Sequence, residues 1–154
     1  MAIDRGYVFT PDRYDEIVVS RVYPERTIRE GIVISDFLER HAAEYSELWF
    51  SVRIGTPPDL KFEHLNGIKR MAWYALAKRI DILAWQGPRA TIVEVKERVV
   101  PGVLGQVMTY RQLLLEEMPE LEDPPLVVVG RTSDPDTLRV LSTNGITVYL
   151  YDAR

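Results

Sequence analysis

Asp81 and the Glu94-Val95-Lys96 triplet are the residues of this chain best spaced to do chemistry together. They lie in two apolar segments, Ile80-Asp81-Ile82-Leu83-Ala84-Trp85 and Ile92-Val93-Glu94-Val95-Lys96, separated by Gln86-Gly87-Pro88-Arg89. Successive side chains of a strand alternate faces, so Glu94 and Lys96 project together while Val93 and Val95 point the other way, into a core. Gly87-Pro88 reads as a turn, and the two segments are expected to pair antiparallel. Asp81, near the start of the first strand, then comes beside Glu94, near the end of the second. Two carboxylates, with the Val95 carbonyl, make a set of hard oxygen donors suited to Mg²⁺ or Mn²⁺. Such an ion polarises a phosphate oxygen and lowers the pKa of an attacking water, while Lys96 orients that water or offsets charge building on the phosphate. The chemistry this suits is metal-assisted hydrolysis of a phosphodiester. An isolated Glu-x-Lys also occurs on solvated strand faces. Here both segments are mostly apolar, as in a covered sheet where unpaired charge is costly.

The elements that must position these groups are legible in outline. Pro101-Gly102 interrupts the chain before a helix over about Val103–Met118, which puts Gln106 and Tyr110 on one face a turn apart. Gln106 is suited to bond a carboxylate or a phosphate, and Tyr110 to do likewise or to stack on a base. The alternative is Tyr110 packed against the sheet with Gln106 in solvent. Thr27 to about Leu48 reads as the first core helix, with Ile28, Ile32, Leu38, Ala42 and Tyr45 as its apolar stripe. Trp49–Ile54 reads as a strand, 59–67 as irregular loop or short helix, and Met71–Ala77 as either helix or strand. Leu126–Gly130 and Gly145–Leu150 read as strands around a helix over Pro135–Asn144 that Asn144-Gly145 closes. In front, Tyr7–Phe9 and Glu16–Tyr23 read as two strands joined by a Pro11-Asp12 turn. The expectation is one α/β domain with a mixed central sheet flanked by helices, a β extension over 1–25 preceding a core over 26–154.

An acid on one strand, Glu-x-Lys on the next and Gln on the following helix resembles the signature of the PD-(D/E)XK nuclease superfamily. The likeness is greatest to the catalytic domain of NucS/EndoMS-type endonucleases, through Arg79-Ile80-Asp81-Ile82-Leu83, Val93-Glu94-Val95-Lys96, Gly105-Gln106 and Tyr110. It extends into Leu126–Gly130 and Gly145–Leu150, about half the chain. The resemblance implies a restriction-endonuclease-like core in αβββαβαβ order. It also implies Mg²⁺- or Mn²⁺-dependent cleavage of DNA in repair, recombination or phage DNA processing, with Asp81 and Glu94 on the metal, Lys96 at the water and Gln106 in support. Ile80 stands where the family often has Pro. Pro58-Asp59 supplies a literal Pro-Asp pair, but in a loop-like Gly55-Thr56-Pro57-Pro58-Asp59 context, which makes Asp59 a decoy. The resemblance further implies an auxiliary acid on the first core helix. Glu30 is the first candidate, although Thr27-Ile28-Arg29-Glu30 also has capping-box spacing; Asp36 and Glu39 are its rivals.

Composition bounds the rest. The 154 residues, 46% of them hydrophobic, suit one domain with a sizeable core. There are no cysteines, so disulfides and thiolate metal sites are excluded, and no apolar run reaches membrane-span length. A cytoplasmic protein without a membrane partner is the expectation. The net charge of −4 lacks the basic footprint of a strong nucleic-acid binder. Lys69-Arg70 and Lys78-Arg79 precede Asp81, however, and Arg89, Lys96, Arg98 and Arg111 surround the motif. A small domain engages one strand of a duplex at a time, so a homodimer or a place in a larger complex is expected. A non-catalytic nuclease-fold scaffold is the rival reading. Trp49, Trp73 and Trp85 read as core or interface anchors. His41 and His64 are given no catalytic part.

Overall fold

The computed structural model describes residues 2–56 and 66–152. Asp59 and His64 lie outside the described residues, as do the side chains of Lys69 and Arg70. The order is β1 (Ala2–Asp4), β2 (Tyr7–Phe9), α1 (Tyr14–Ser20), α2 (Ile28–His41), β3 (Glu47–Gly55), α3 (Asn66–Leu76), β4 (Lys78–Gln86), β5 (Arg89–Val95), α4 (Val103–Glu117), β6 (Leu126–Gly130), α5 (Pro135–Thr143) and β7 (Thr147–Leu150). The strands form one mixed sheet in the order β1-β3-β4-β5-β6-β7, with β2 also paired to β3. β3, β4 and β5 run antiparallel, whereas β5, β6 and β7 are parallel, their crossovers made by α4 and α5.

Both sheet faces are covered, which explains the continuous apolar runs. α1 and α2 cover one face, where Ile17, Ile34, Phe37 and Leu38 meet Phe50, Ile82, Val93, Val95 and Val129. α4 and α5 cover the other, where Val103, Val107, Tyr110, Leu114 and Leu141 meet Val52, Ile80, Leu83, Ile92 and Val128. Each fully buried side chain of this size contributes about 1.5–3 kcal/mol.

Three expectations need correction. Glu16–Tyr23 is not a strand, because α1 occupies Tyr14–Ser20 and ends at Arg21 in the left-handed conformation (φ 55°). Its β-branched run favours a strand locally, but Tyr14 and Ile17, one turn apart, are the side chains buried against α2, and that packing prevails. Gly31 permits the close approach, since a Cβ there would sit 2.2 Å from the Arg21 carbonyl oxygen. α2 stops at His41 rather than near Leu48, and its buried stripe is Val33, Ile34, Phe37 and Leu38, with Ile28 in solvent. An extra helix, α3, lies between β3 and β4, so Met71–Leu76 is helical.

One irregularity of the sheet bears on the site. Leu48 and Phe50 join the first core, while Val52 and Ile54 join the second, and β4 switches likewise between Ile82 and Ile80. Strict alternation would keep residues two apart on one face. The changeovers flank Ser51, at φ 57°, and Asp81.

Candidate active site

The β4–β5 hairpin turns at Gly87 (φ 59°), and Gln86↔Arg89 through Ile82↔Val93 form its ladder. The pairing ends there. Continuing the register by one step brings Asp81 opposite Glu94, but Glu94 and Val95 pair only with Val128 and Val129 of β6, and Lys78–Ile80 only with β3. At this fork the Asp81 carboxylate accepts the Val95 N–H at 2.8 Å. A side chain thus replaces the next ladder bond, and that donor stays satisfied.

Asp81 and Glu94 are 3% and 2% exposed. Burying an unpaired charge costs several kcal/mol, more than one core side chain contributes, so the pair persists only through its partners. Asp81 also accepts from Arg26 Nη1 at 2.5 Å, and Lys96 Nζ lies 3.4 Å from Glu94 Oε1. Burial pushes both carboxyls upward, and each opposes ionisation of the other. Arg26 and the Val95 N–H pull Asp81 back, whereas Glu94, raised to about 9 by burial and then by Asp81, has Lys96 as the group that opposes the shift. Glu94 Oε2 is buried with no hydrogen-bond partner.

A cleft of about 570 Å³ opens over this pair. Glu30, Asp81 and Glu94 line it together with five cations, Arg26, Arg53, Lys78, Arg79 and Lys96, so the wall is locally basic although the chain is acidic. Arg89, Arg98 and Arg111 do not line it. Gln106 and Tyr110 close the α4 side. Gln106 Nε2 donates to the Tyr110 hydroxyl at 2.8 Å rather than to a carboxylate. Tyr110 packs against the sheet, its hydroxyl raised to about 12 by burial and then by Glu94.

Glu30 has two contacts. Its side chain accepts the Thr27 N–H at 3.2 Å while Thr27 Oγ1 accepts the Glu30 N–H at 3.1 Å, completing the capping box, and it also lies 3.8 Å from Arg26 Nη1 on the cleft wall. Asp36 and Glu39 do not line the cleft; Glu39 lies over a different depression beside Pro11 and Tyr14. His41 bonds Glu44 and stacks on Phe37, and Trp49 packs at a tilt on Trp85; none of them lines the cleft.

The sequence carries no sign of Arg26 or Arg53 as site residues. Arg53 is one member of a covered strand, and Arg26 one charge in a loop; only the fold brings both to the cleft and Arg26 to Asp81. The loop is held by Glu25, at φ 60°, whose carboxylate takes Arg53 Nη1 and Nη2 at 3.1 and 2.7 Å. Strained backbone of this kind survives where surroundings over-determine it.

The donor chemistry fits a hard divalent ion. Asp81 and Glu94 offer carboxylate oxygens, one of them orphaned, and Asp81 already attracts a cation. Among the described residues no cluster of three His, Cys, Asp or Glu side chains forms a closed metal cage. Two carboxylates suffice for Mg²⁺, which keeps several waters and shares substrate phosphates. No described helix is long and apolar enough to cross a membrane. Comparison with protein-family models, curated proteins and solved structures finds no match.

Proposed function

We propose that the protein is a divalent-metal-dependent nuclease that hydrolyses DNA phosphodiester bonds, with a restriction-endonuclease-like core. The observation that carries the reading is the fork between β4 and β5, where two buried carboxylates face each other beside a lysine in a basic cleft. The order of α2, β3, β4, β5, α4, β6, α5 and β7 supports it, with α3 as an insertion. So does the resemblance of Asp81, Glu94-Val95-Lys96 and Gln106 to the PD-(D/E)XK signature.

Asp81 and Glu94, with the Val95 carbonyl, would hold Mg²⁺ or Mn²⁺. A bound ion supplies Lewis acidity toward a phosphate oxygen and an acidified water. Glu94 would have to be deprotonated to serve as a ligand. Lys96, one-third exposed at the cleft with its ammonium 3.4 Å from Glu94 Oε1, would orient the attacking water or offset charge on a phosphate oxygen. Lys78 and Arg79 supply cations for neighbouring phosphates along the rim, and their contribution weakens as salt rises. The Gln106–Tyr110 pair shapes the remaining wall.

A non-catalytic nuclease-fold subunit is the second reading. It is favoured by one observation, the Arg26–Asp81 pair, which satisfies the carboxylate without metal. Cleavage of labelled single-stranded, duplex, flap, mismatched and four-way-junction DNA, and of RNA, separates the two. Cutting that needs Mg²⁺ or Mn²⁺ and falls at least about a hundredfold in Lys96→Ala is the expected result. A folded, metal-supplied protein that cuts none of these substrates refutes the enzyme reading.

A further inference from the structure

Two buried arginines flank the candidate site, and their pairing differs. Arg53 has a partner at each of its three nitrogens: Nε donates to the Tyr74 carbonyl at 2.7 Å, both terminal nitrogens donate to Glu25, and the guanidinium stacks 3.6 Å from the Tyr74 ring centre. Arg26 is equally buried, its side chain 6% exposed, yet Nε and Nη2 have no partner. It is held by one bond from Nη1 to Asp81 and a looser approach to Glu30 at 3.8 Å. A guanidinium has five donor hydrogens, and leaving most of them buried and unpaired is costly. Arg53 therefore serves as a fixed strut, whereas Arg26 is a cation with an incomplete set of bonds on a carboxylate that faces a cleft.

We infer that Arg26 competes with the divalent ion for Asp81, acting as a built-in counter-cation that must leave the carboxylate before metal takes its place. This rests on the metal-dependent reading above. Without metal, Arg26 balances the charge of Asp81 and, more loosely, of Glu30. With metal, the two cations repel at short range and share an acceptor, so Arg26 weakens metal binding. Because the guanidinium is under-bonded where it lies, its release gives up little beyond the single Asp81 contact. Its unused donors also suit it to take up an anion entering the cleft.

Isothermal calorimetry with Mn²⁺ tests the competition without requiring turnover. Arg26→Gln is expected to bind Mn²⁺ at least about tenfold more tightly than the natural protein, with Arg26→Lys between them and Asp81→Asn showing no binding. If Arg26→Gln unfolds at ambient temperature without metal, Mn²⁺ should raise its melting temperature more than that of the natural protein. Unchanged or weaker Mn²⁺ binding in Arg26→Gln, with binding to the natural protein intact, overturns the competition and spares the metal site. Absence of Mn²⁺ binding in both proteins overturns the two together.

Discussion

In the presence of EDTA, raising the pH from 6 to 8 is expected to lower the unfolding free energy by about 2–3 kcal/mol, at about 1.4 kcal/mol per pH unit for one proton. The cause is Glu94, buried beside Asp81 and raised from 4.5 to about 9. Between those values the native state keeps a proton that the unfolded chain has lost. Glu94 thus contributes its full stability below the unfolded value, and that contribution is lost as pH rises through the folded one. Nearly complete burial of the side chain makes solvent screening small. Glu94→Gln keeps the shape and neutrality of the protonated acid and removes its titration, so the slope should flatten. Urea unfolding followed by tryptophan fluorescence at both pH values, on the natural protein and the variant, measures the difference. A loss of 2 kcal/mol corresponds to roughly 4–8 °C in melting temperature for a chain of this size. A natural protein with no loss between pH 6 and 8, or a Glu94→Gln variant that loses as much, would refute the placement of the proton on Glu94.

Gly130 on β6 lies against the chain at Lys96: a Cβ there would meet the Lys96 carbonyl oxygen at 2.5 Å and Val99 Cγ2 at 2.7 Å. Gly130→Ala should cost about 1–3 kcal/mol or more, since backbone must move, and should depress cleavage in protein that still folds; calorimetric melting beside a cleavage assay checks both effects. Thr27→Ala removes the Oγ1 acceptor of the capping box at α2 and should cost about 1 kcal/mol in urea unfolding, while Thr27→Ser should cost close to nothing.

Much of the architecture was legible because its causes are local. The apolar runs at Ile80–Trp85 and Ile92–Val95 around Gly87-Pro88 announce a hairpin, and period-two alternation puts Val93 and Val95 in one core with Glu94 on the opposite side. Pro135 after Asp134, whose side chain accepts the Thr137 N–H, marks the start of α5 in the same way. Glu16–Tyr23 misled because β-branched residues favour strands only until a helix can bury Tyr14 and Ile17 together against α2. Thr27–Leu48 ran too long because a helical pattern does not reveal where the next strand must begin pairing; β3 starts at Glu47, opposite Trp85 of β4.

Residue types and spacing alone therefore determined the composition of the candidate centre: Asp81, Glu94 and Lys96 on adjacent strands, with Gln106 and Tyr110 on the helix that follows. Alternation and turn chemistry act over a few residues and can be read directly. Tertiary structure decided the electrostatic state of that centre. The end of β4–β5 pairing at Ile82↔Val93 buries both carboxylates, and the left-handed turn at Glu25 delivers Arg26 to Asp81 across 55 positions of sequence. Charge interactions depend on distance and dielectric rather than on order along the chain, so Arg26 becomes part of the site only when the chain folds.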